Sequence, residues 1–387
     1  MDFNNIKNAF SSKSNSDLNR AYLLFKVISN PKISRILTNI VKICLKFKLP
    51  ISIFIKQTVF KHFCGGTTIE DSQKTIDTLW EHKIGTILDY SAEGKKTEED
   101  FNFVYEETIR TINKASSEKS IPFCVFKFTG LTNFKLLEKI SSNKKLTNNE
   151  LKEKENFESR VEKICESAAE KKVKIFIDAE ESWLQNAIDD MTLNMMRKFN
   201  KKNCWIYNTI QMYRNDRLDY LAEILDICKK EKFLVGLKIV RGAYHEKEIE
   251  RSKKYGYKCP VHQTKKDTDN DFNKALKICI KNSKNISICA GTHNEESSLI
   301  LTKLMIKSGF KKNNEKFFFS QLLGMSDHIS YNLSKDGYNV AKYVPYGPVK
   351  DVIPYLVRRA EENTSIAGQM GRELTNISKE KKRRKNI

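Results

Sequence analysis

A chain of 387 residues, 40% hydrophobic and 30% charged, is long enough to bury a large core and reads as globular. Its net charge of +21 comes from lysines scattered among Asn and Ile rather than gathered on one face, which speaks against nucleic acid as a partner. Nine cysteines stand singly, with no CxxC pair and an odd total, so neither a zinc knuckle nor a disulfide framework is expected, and a reducing compartment such as the cytoplasm fits.

The first twenty residues are polar and lack a compact apolar region behind a charged start, so no signal peptide is expected. From about Ser16 to Glu81 apolar residues recur at helical spacing, as in Ala21, Leu24, Phe25 and Ile28, with breaks at Pro31, Pro50 and Gly65-Gly66. This predicts an N-terminal helical arm over 1–82. Within it the apolar segment Ile33–Phe60 is interrupted by Lys42, Lys46, Lys48, Pro50 and Lys56, so no transmembrane helix is expected.

After Trp80 short β-rich runs alternate with helix-like segments. The predicted strands are Ile84–Tyr90, Phe123–Phe128, Lys174–Asp178, Cys204–Thr209, Leu234–Val240, Ile286–Ala290, Phe317–Gln321 and Val340–Val344. Helices are predicted at Phe157–Lys171, Asp216–Lys230 and Asp351–Asn363. Eight such units match an α/β fold of the (β/α)8 barrel type over 83–366 better than an open doubly wound sheet. The charged stretch Ser141–Asn156 reads as an exposed excursion before the third helix-strand unit. Residues 367–387 read as a C-terminal helix and basic tail, in which the run Lys379–Lys385 is either a solvated end or a contact for phosphate-bearing surfaces.

In a barrel of this kind reactive groups stand where strands end. Those ends carry Asp89 with Glu93, Lys127, Asp178 with Glu180, Asn208 with Gln211, Arg241-Gly242 with Tyr244, His293-Asn294, Gln321, and Tyr343 with Tyr346. Lys127 lies in the otherwise apolar run CVFKFTGL, where a charge is costly unless it faces a partner or ligand. Asp178 ends KIFIDAEE and reads either as one member of a charge network or as a helix cap. Arg358 and Arg359 diverge by about 100° on a helix, so at least one should face the barrel. They read as ion pairs with Glu361, Glu362 or Asp351, or as a clamp on a carboxylate. His293 has no second histidine nearby, so no metal site is expected. There is no GxG, and hence no Rossmann fingerprint, and no P-loop, so any dinucleotide must lie on the barrel rim.

The segments LDYSAEG (88–94), FKFTGL (126–131), IDAEESWLQNAID (177–189), YNTIQMY (207–213), KIVRGAYHEKE (238–248), THN (292–294), QLLGM (321–325) and YVPYGP…YLVRRAEEN stand in the order and spacing of the proline dehydrogenase family, which this chain resembles in its stand-alone form. The resemblance implies a distorted (β/α)8 barrel holding non-covalent FAD and oxidising L-proline to Δ1-pyrroline-5-carboxylate by hydride transfer to flavin N5. It also implies that Lys127, Arg358 and Arg359 bind the proline carboxylate, that Tyr343 and Tyr355 pack on its ring, and that Asp178 orders the charges around them. Glu93 would pair with Arg358 as a gate. Gln211, Lys238, Arg241, Gly242, Tyr244, His293, Asn294 and Glu362 would contact the flavin or line its pocket. The bifunctional relatives carry arginine where Lys238 stands, and hydroxyproline-preferring relatives tend to have a smaller residue where Tyr343 stands. Implied partners are a quinone electron acceptor, a pyrroline-5-carboxylate dehydrogenase in transient pairing, and an anionic membrane surface touched peripherally by segment 33–60 and the basic tail.

Overall fold

The computed structural model describes every residue except 31, 34, 35, 37, 38, 41–54, 92–94, 366–368 and 387, and leaves undescribed the side chains of 358–370. Most of the apolar stretch read at 33–60 therefore lies outside the described residues.

Eight parallel strands close into a barrel in sequence order: β1 Ile84–Tyr90, β2 Phe123–Phe126, β3 Lys174–Ile177, β4 Ile206–Gln211, β5 Val235–Val240, β6 Ile286–Gly291, β7 Phe317–Leu322 and β8 Val340–Tyr346. Closure is made by β8 on β1, in register from Ile84 against Val340 to Tyr90 against Tyr346. Each strand is buried on both faces, one against the barrel interior and one against helices, which is why each reads as a nearly continuous apolar run. The interior is filled by Phe123, Phe176, Tyr207 and Tyr343, with Phe123 and Phe176 stacked at 4.3 Å between centroids. This aromatic column ends at the rim in the Tyr343 hydroxyl.

Before the barrel come α1 Ile6–Ala9, α2 Asn15–Ile28 and α3 Gln73–Glu81. Between the strands lie α4 Glu98–Ser117, α5 Phe134–Ser141, α6 Asn148–Glu170, α7 Ser182–Phe199, α8 Arg217–Glu231, α9 His245–Tyr255, α10 Lys265–Lys281, α11 Glu295–Lys307 and α12 Asp327–Lys335. After β8 come α13 Val349–Ser365 and α14 Gln369–Lys385.

The excursion expected at Ser141–Asn156 is mostly helix instead. Thr147 caps α6 by accepting from the Glu150 backbone N–H, and Glu150 answers on the Thr147 N–H at 2.9 Å, a reciprocal capping box that starts the helix about two turns before its first buried residue, Phe157.

A second apolar cluster lies outside the barrel, where Leu18, Phe25, Phe63, Met325, Tyr355 and Ile377 meet. It joins the N-terminal helices to α13 and α14. The basic run at the end of α14 is structural in part. Glu380, fully buried, pairs with Arg383 and Arg384, and Arg384 also donates to the Phe10 and Lys13 carbonyls at 2.9 and 2.8 Å. The eight described cysteines are unbridged and all but Cys259 are buried; burial pushes the thiols of Cys124 and Cys204 up to about 12.

Candidate active site

A cavity of about 630 Å³ opens at the C-terminal ends of the strands, and every strand end contributes to its lining. One side is charged. Lys238, five per cent exposed on β5, points its ammonium at the Asp178 carboxylate after β3 and at the Tyr343 hydroxyl on β8. The same ammonium lies 4.5 Å from the Tyr343 ring centroid and 5.3 Å from that of Phe176, so the top of the aromatic column faces a cation. Tyr343 in turn donates to Asp178 Oδ1 at 3.1 Å. Burial and the nearby Asp178 charge push the Tyr343 phenol well above its ordinary pKa, so it stays a proton donor. Lys127, immediately past β2, stands 3.9 Å from Asp178 Oδ2 and 3.7 Å from Asp89 Oδ1. Two lysines and two aspartates therefore share this wall, and Ser91 fixes Asp89 with a 2.7 Å bond.

The β5 loop forms the next part. Gly242, which lines the cavity, takes a φ of +133°, and a Cβ there would sit 2.4 Å from the Tyr213 ring, so only glycine lets the chain pass this close to Tyr213. Arg241 spreads its guanidinium over Asp269 (2.6 Å), Thr292 (2.6 Å) and Ser297 (2.9 Å) and lies over the Phe272 ring. It thereby stitches β5 to α10 and α11 while lining the cavity. Gln211 donates to the Glu180 carbonyl at 2.7 Å and so holds the loop of Asp178.

Across the barrel, after β6 and β7, a second polar group lines the cavity. Ser326 adopts a left-handed φ of +52°, a strained conformation for a residue with a side chain. Glu373 from α14 accepts its N–H at 2.6 Å and His293 bonds its hydroxyl at 2.9 Å. His328 donates from Nε2 to Glu295 at 2.9 Å, while its buried Nδ1 has no hydrogen-bond partner among the described residues and stands 4.0 Å from Glu373. Burial raises the Glu373 carboxyl above its ordinary pKa.

Of the residues singled out in the sequence, Lys127, Asp178, Gln211, Lys238, Arg241, Gly242, Tyr244, His293, Asn294, Tyr343 and Tyr355 all line this cavity. Asn294 also caps α11, accepting from the Ser297 N–H at 2.9 Å, and Tyr244 stands at the N-terminus of α9. Glu93 lies outside the described residues, as do the side chains of Arg358, Arg359 and Glu362. The sequence reading gave no role to Glu295, His328, Arg372 or Glu373, which also line the cavity. Glu373 lies in the strongly charged α14, and no local pattern tells that this helix returns to the rim.

The proline dehydrogenase family model matches residues 72–372. "Proline dehydrogenase 1, mitochondrial" of Dictyostelium discoideum is 34% identical over 97% of this chain and 74% of its own length. "Carbapenem antibiotics biosynthesis protein CarD" of Pectobacterium carotovorum is 33% identical over 83% of each chain. Among solved structures, proline utilization A (PutA) from Bdellovibrio bacteriovorus, inactivated by N-propargylglycine, superposes with a TM-score of 0.74 at 18% identity, covering 93% of this chain and 38% of that longer one. That likeness concerns the fold, which is the same closed barrel.

Proposed function

The chain belongs to the proline dehydrogenase family, oxidoreductases that act on proline, and on that premise we propose that it oxidises L-proline to Δ1-pyrroline-5-carboxylate with FAD, opening proline breakdown to glutamate. The observation that carries this reading is the convergence of Lys127, Asp178, Lys238 and Tyr343 on one wall of a rim cavity. A cation held between two aspartates suits a substrate that is an anionic carboxylate on a small ring: Lys127 binds the carboxylate, and Asp178 fixes both lysines so that neither wanders into the space of the ring.

A flavin fits what these residues offer. The volume of about 630 Å³ falls within the roughly 300–1,000 Å³ usual for ligand sites and exceeds what one imino acid fills. The orphaned His328 Nδ1 on the cavity lining suits a second, polar occupant. In this reading Gln211, Lys238, Arg241, Gly242, Tyr244, His293, Asn294 and Glu362 hold it. When bound, the flavin accepts the hydride that leaves C5 of proline. The chain's own part is positioning: Tyr343 and Tyr355 pack on the ring, Arg358 and Arg359 join Lys127 on the carboxylate, and Glu93 gates the mouth through Arg358. Lys238, held in place by Asp178, would stabilise negative charge on the cofactor. Tyr343 favours proline over hydroxyproline by filling the space a ring hydroxyl needs.

The proposed electron acceptor is a quinone. Peripheral contact with an anionic membrane goes with it, carried by the lysines that the α14 clasp leaves to solvent and by segment 33–60; no helix among the described residues is long and apolar enough to cross a bilayer. A pyrroline-5-carboxylate dehydrogenase is the proposed consumer of the product, and the cytoplasm or the inner face of its membrane the proposed location. The test is the visible spectrum of the purified protein, recorded anaerobically before and after proline. A flavin spectrum that bleaches with proline is expected. Bleaching with hydroxyproline alone would move the substrate to that imino acid, and a protein that takes up no added FAD would overturn the reading.

A further inference from the structure

The backbone ladder between β2 and β3 ends at the rim with the Asp178 N–H bonded to the Phe126 carbonyl at 2.9 Å. Beyond that point the strands part. Lys127 leaves on one side into a tight turn, Phe128–Gly130, and Asp178 on the other into a loop. One side chain bridges them again. Glu180, three per cent exposed, accepts the Thr129 backbone N–H at 3.0 Å on one oxygen and the Thr129 hydroxyl on the other. Its own backbone is held from both directions, the N–H by Gln185 at 3.0 Å and the carbonyl by Gln211 at 2.7 Å. Gln185 is anchored on Asp189, which pairs with Arg217 at 2.6 Å, so the bridge stands on the rigid α7–α8 layer behind the barrel. Glu180 does not itself line the cavity.

We propose that Glu180 is a positioning residue for the reaction assigned above: by holding the turn after β2 against the loop after β3, it sets where Lys127 stands relative to Asp178. The inference rests on the functional reading, in which Lys127 receives the substrate carboxylate. Moving Lys127 by a fraction of an ångström, without removing it, weakens substrate binding and leaves the chemical step largely as it was.

The bridge is also sensitive to protons. Burial, with Glu181 beside it, lifts the Glu180 carboxyl to about 7, against the Thr129 bonds and the charge of Lys127. Glu181 is itself paired with Lys247 of α9 at 2.7 Å, and Asp178 is engaged by Lys238. As pH falls through about 7, Glu180 gains a proton and both bonds to Thr129 lose their charge assistance.

The experiment compares wild type with Glu180→Gln, an imitation of the protonated form, by proline kinetics across pH 6–8. Wild-type KM should fall as pH rises through about 7. The variant should keep a KM about fivefold higher at the upper end, with no such pH dependence and kcat within about twofold. Thr129→Val removes the hydroxyl from the other side, should raise KM about threefold, and should add little to Glu180→Gln in the double variant. Wild-type KM and pH profile in Glu180→Gln would overturn the proposal, as would an unchanged KM in Thr129→Val should the first variant not fold. If wild type turns over no proline, the functional reading fails by itself. The bridge is then read by hydrogen exchange at the Thr129 amide: faster exchange in Glu180→Gln upholds the tie, and unchanged exchange removes it.

Discussion

Asp178 answers two cations with one carboxylate, and its removal strands Lys238, whereas Lys127 keeps Asp89. Asp178→Ala would leave the Lys238 ammonium, five per cent exposed, without its carboxylate, a defect that costs about 3–5 kcal/mol. Denaturant unfolding should show that loss, while Asp178→Asn, which keeps a hydrogen-bond acceptor, should lose less stability and still lose most activity on proline. Lys127 and Asp178 were legible in the sequence because each is a charge at the end of an apolar run, and burying a charge needs a reason. His328 and Glu373 were not legible. His328 sits in a short helix rich in polar residues and Glu373 in a strongly charged one, and only tertiary packing brings them to Glu295 and the strained Ser326.

All eight strands were readable to within two residues at either end, since a strand covered on both faces must be apolar throughout. The first turns of α6 carry the opposite lesson. Nothing apolar marks them before Phe157, and the available signal was the cap, Thr147 with Glu150 three residues later. Thr147→Ala should lower stability by about 1 kcal/mol in a denaturant titration, and should leave kinetics alone because neither Thr147 nor Glu150 lines the cavity. His62 belongs to this scale too, since it ties the segment before α3 to the loop after β7 through a 2.9 Å bond to the Gly324 carbonyl. Burial, helped by the charge of Lys13, lowers its pKa to about 4 from 6.5. Its folded value lies below the unfolded one, so its contribution is present above pH 6.5 and is lost as pH falls towards 4. Unfolding measured across that window should show the decline, and His62→Gln should flatten it.

At the scale of the whole chain the two ends close on each other. Lys13, whose carbonyl is held by Arg384, reaches Asp327 at 3.8 Å, and Asp327 pairs at 2.7 Å with Lys342, a fully buried lysine one residue from Tyr343. Deleting 379–387 should therefore lower Tm by several degrees and weaken flavin retention. Replacing Lys379, Lys382 and Lys385 with serine should leave Tm where it was. Two-tailed closure of this kind could not be read from composition, because a basic run looks alike whether it is solvated or clasped. The distribution of sulfur has a practical consequence. With seven of the eight described thiols buried and the eighth, Cys259, partly exposed, those seven should resist air and brief iodoacetamide treatment while the fold holds. Among these eight, the reagent should mark Cys259 first, providing a ready anchor for a fluorophore beside α9, and rapid labelling of the others would report unfolding.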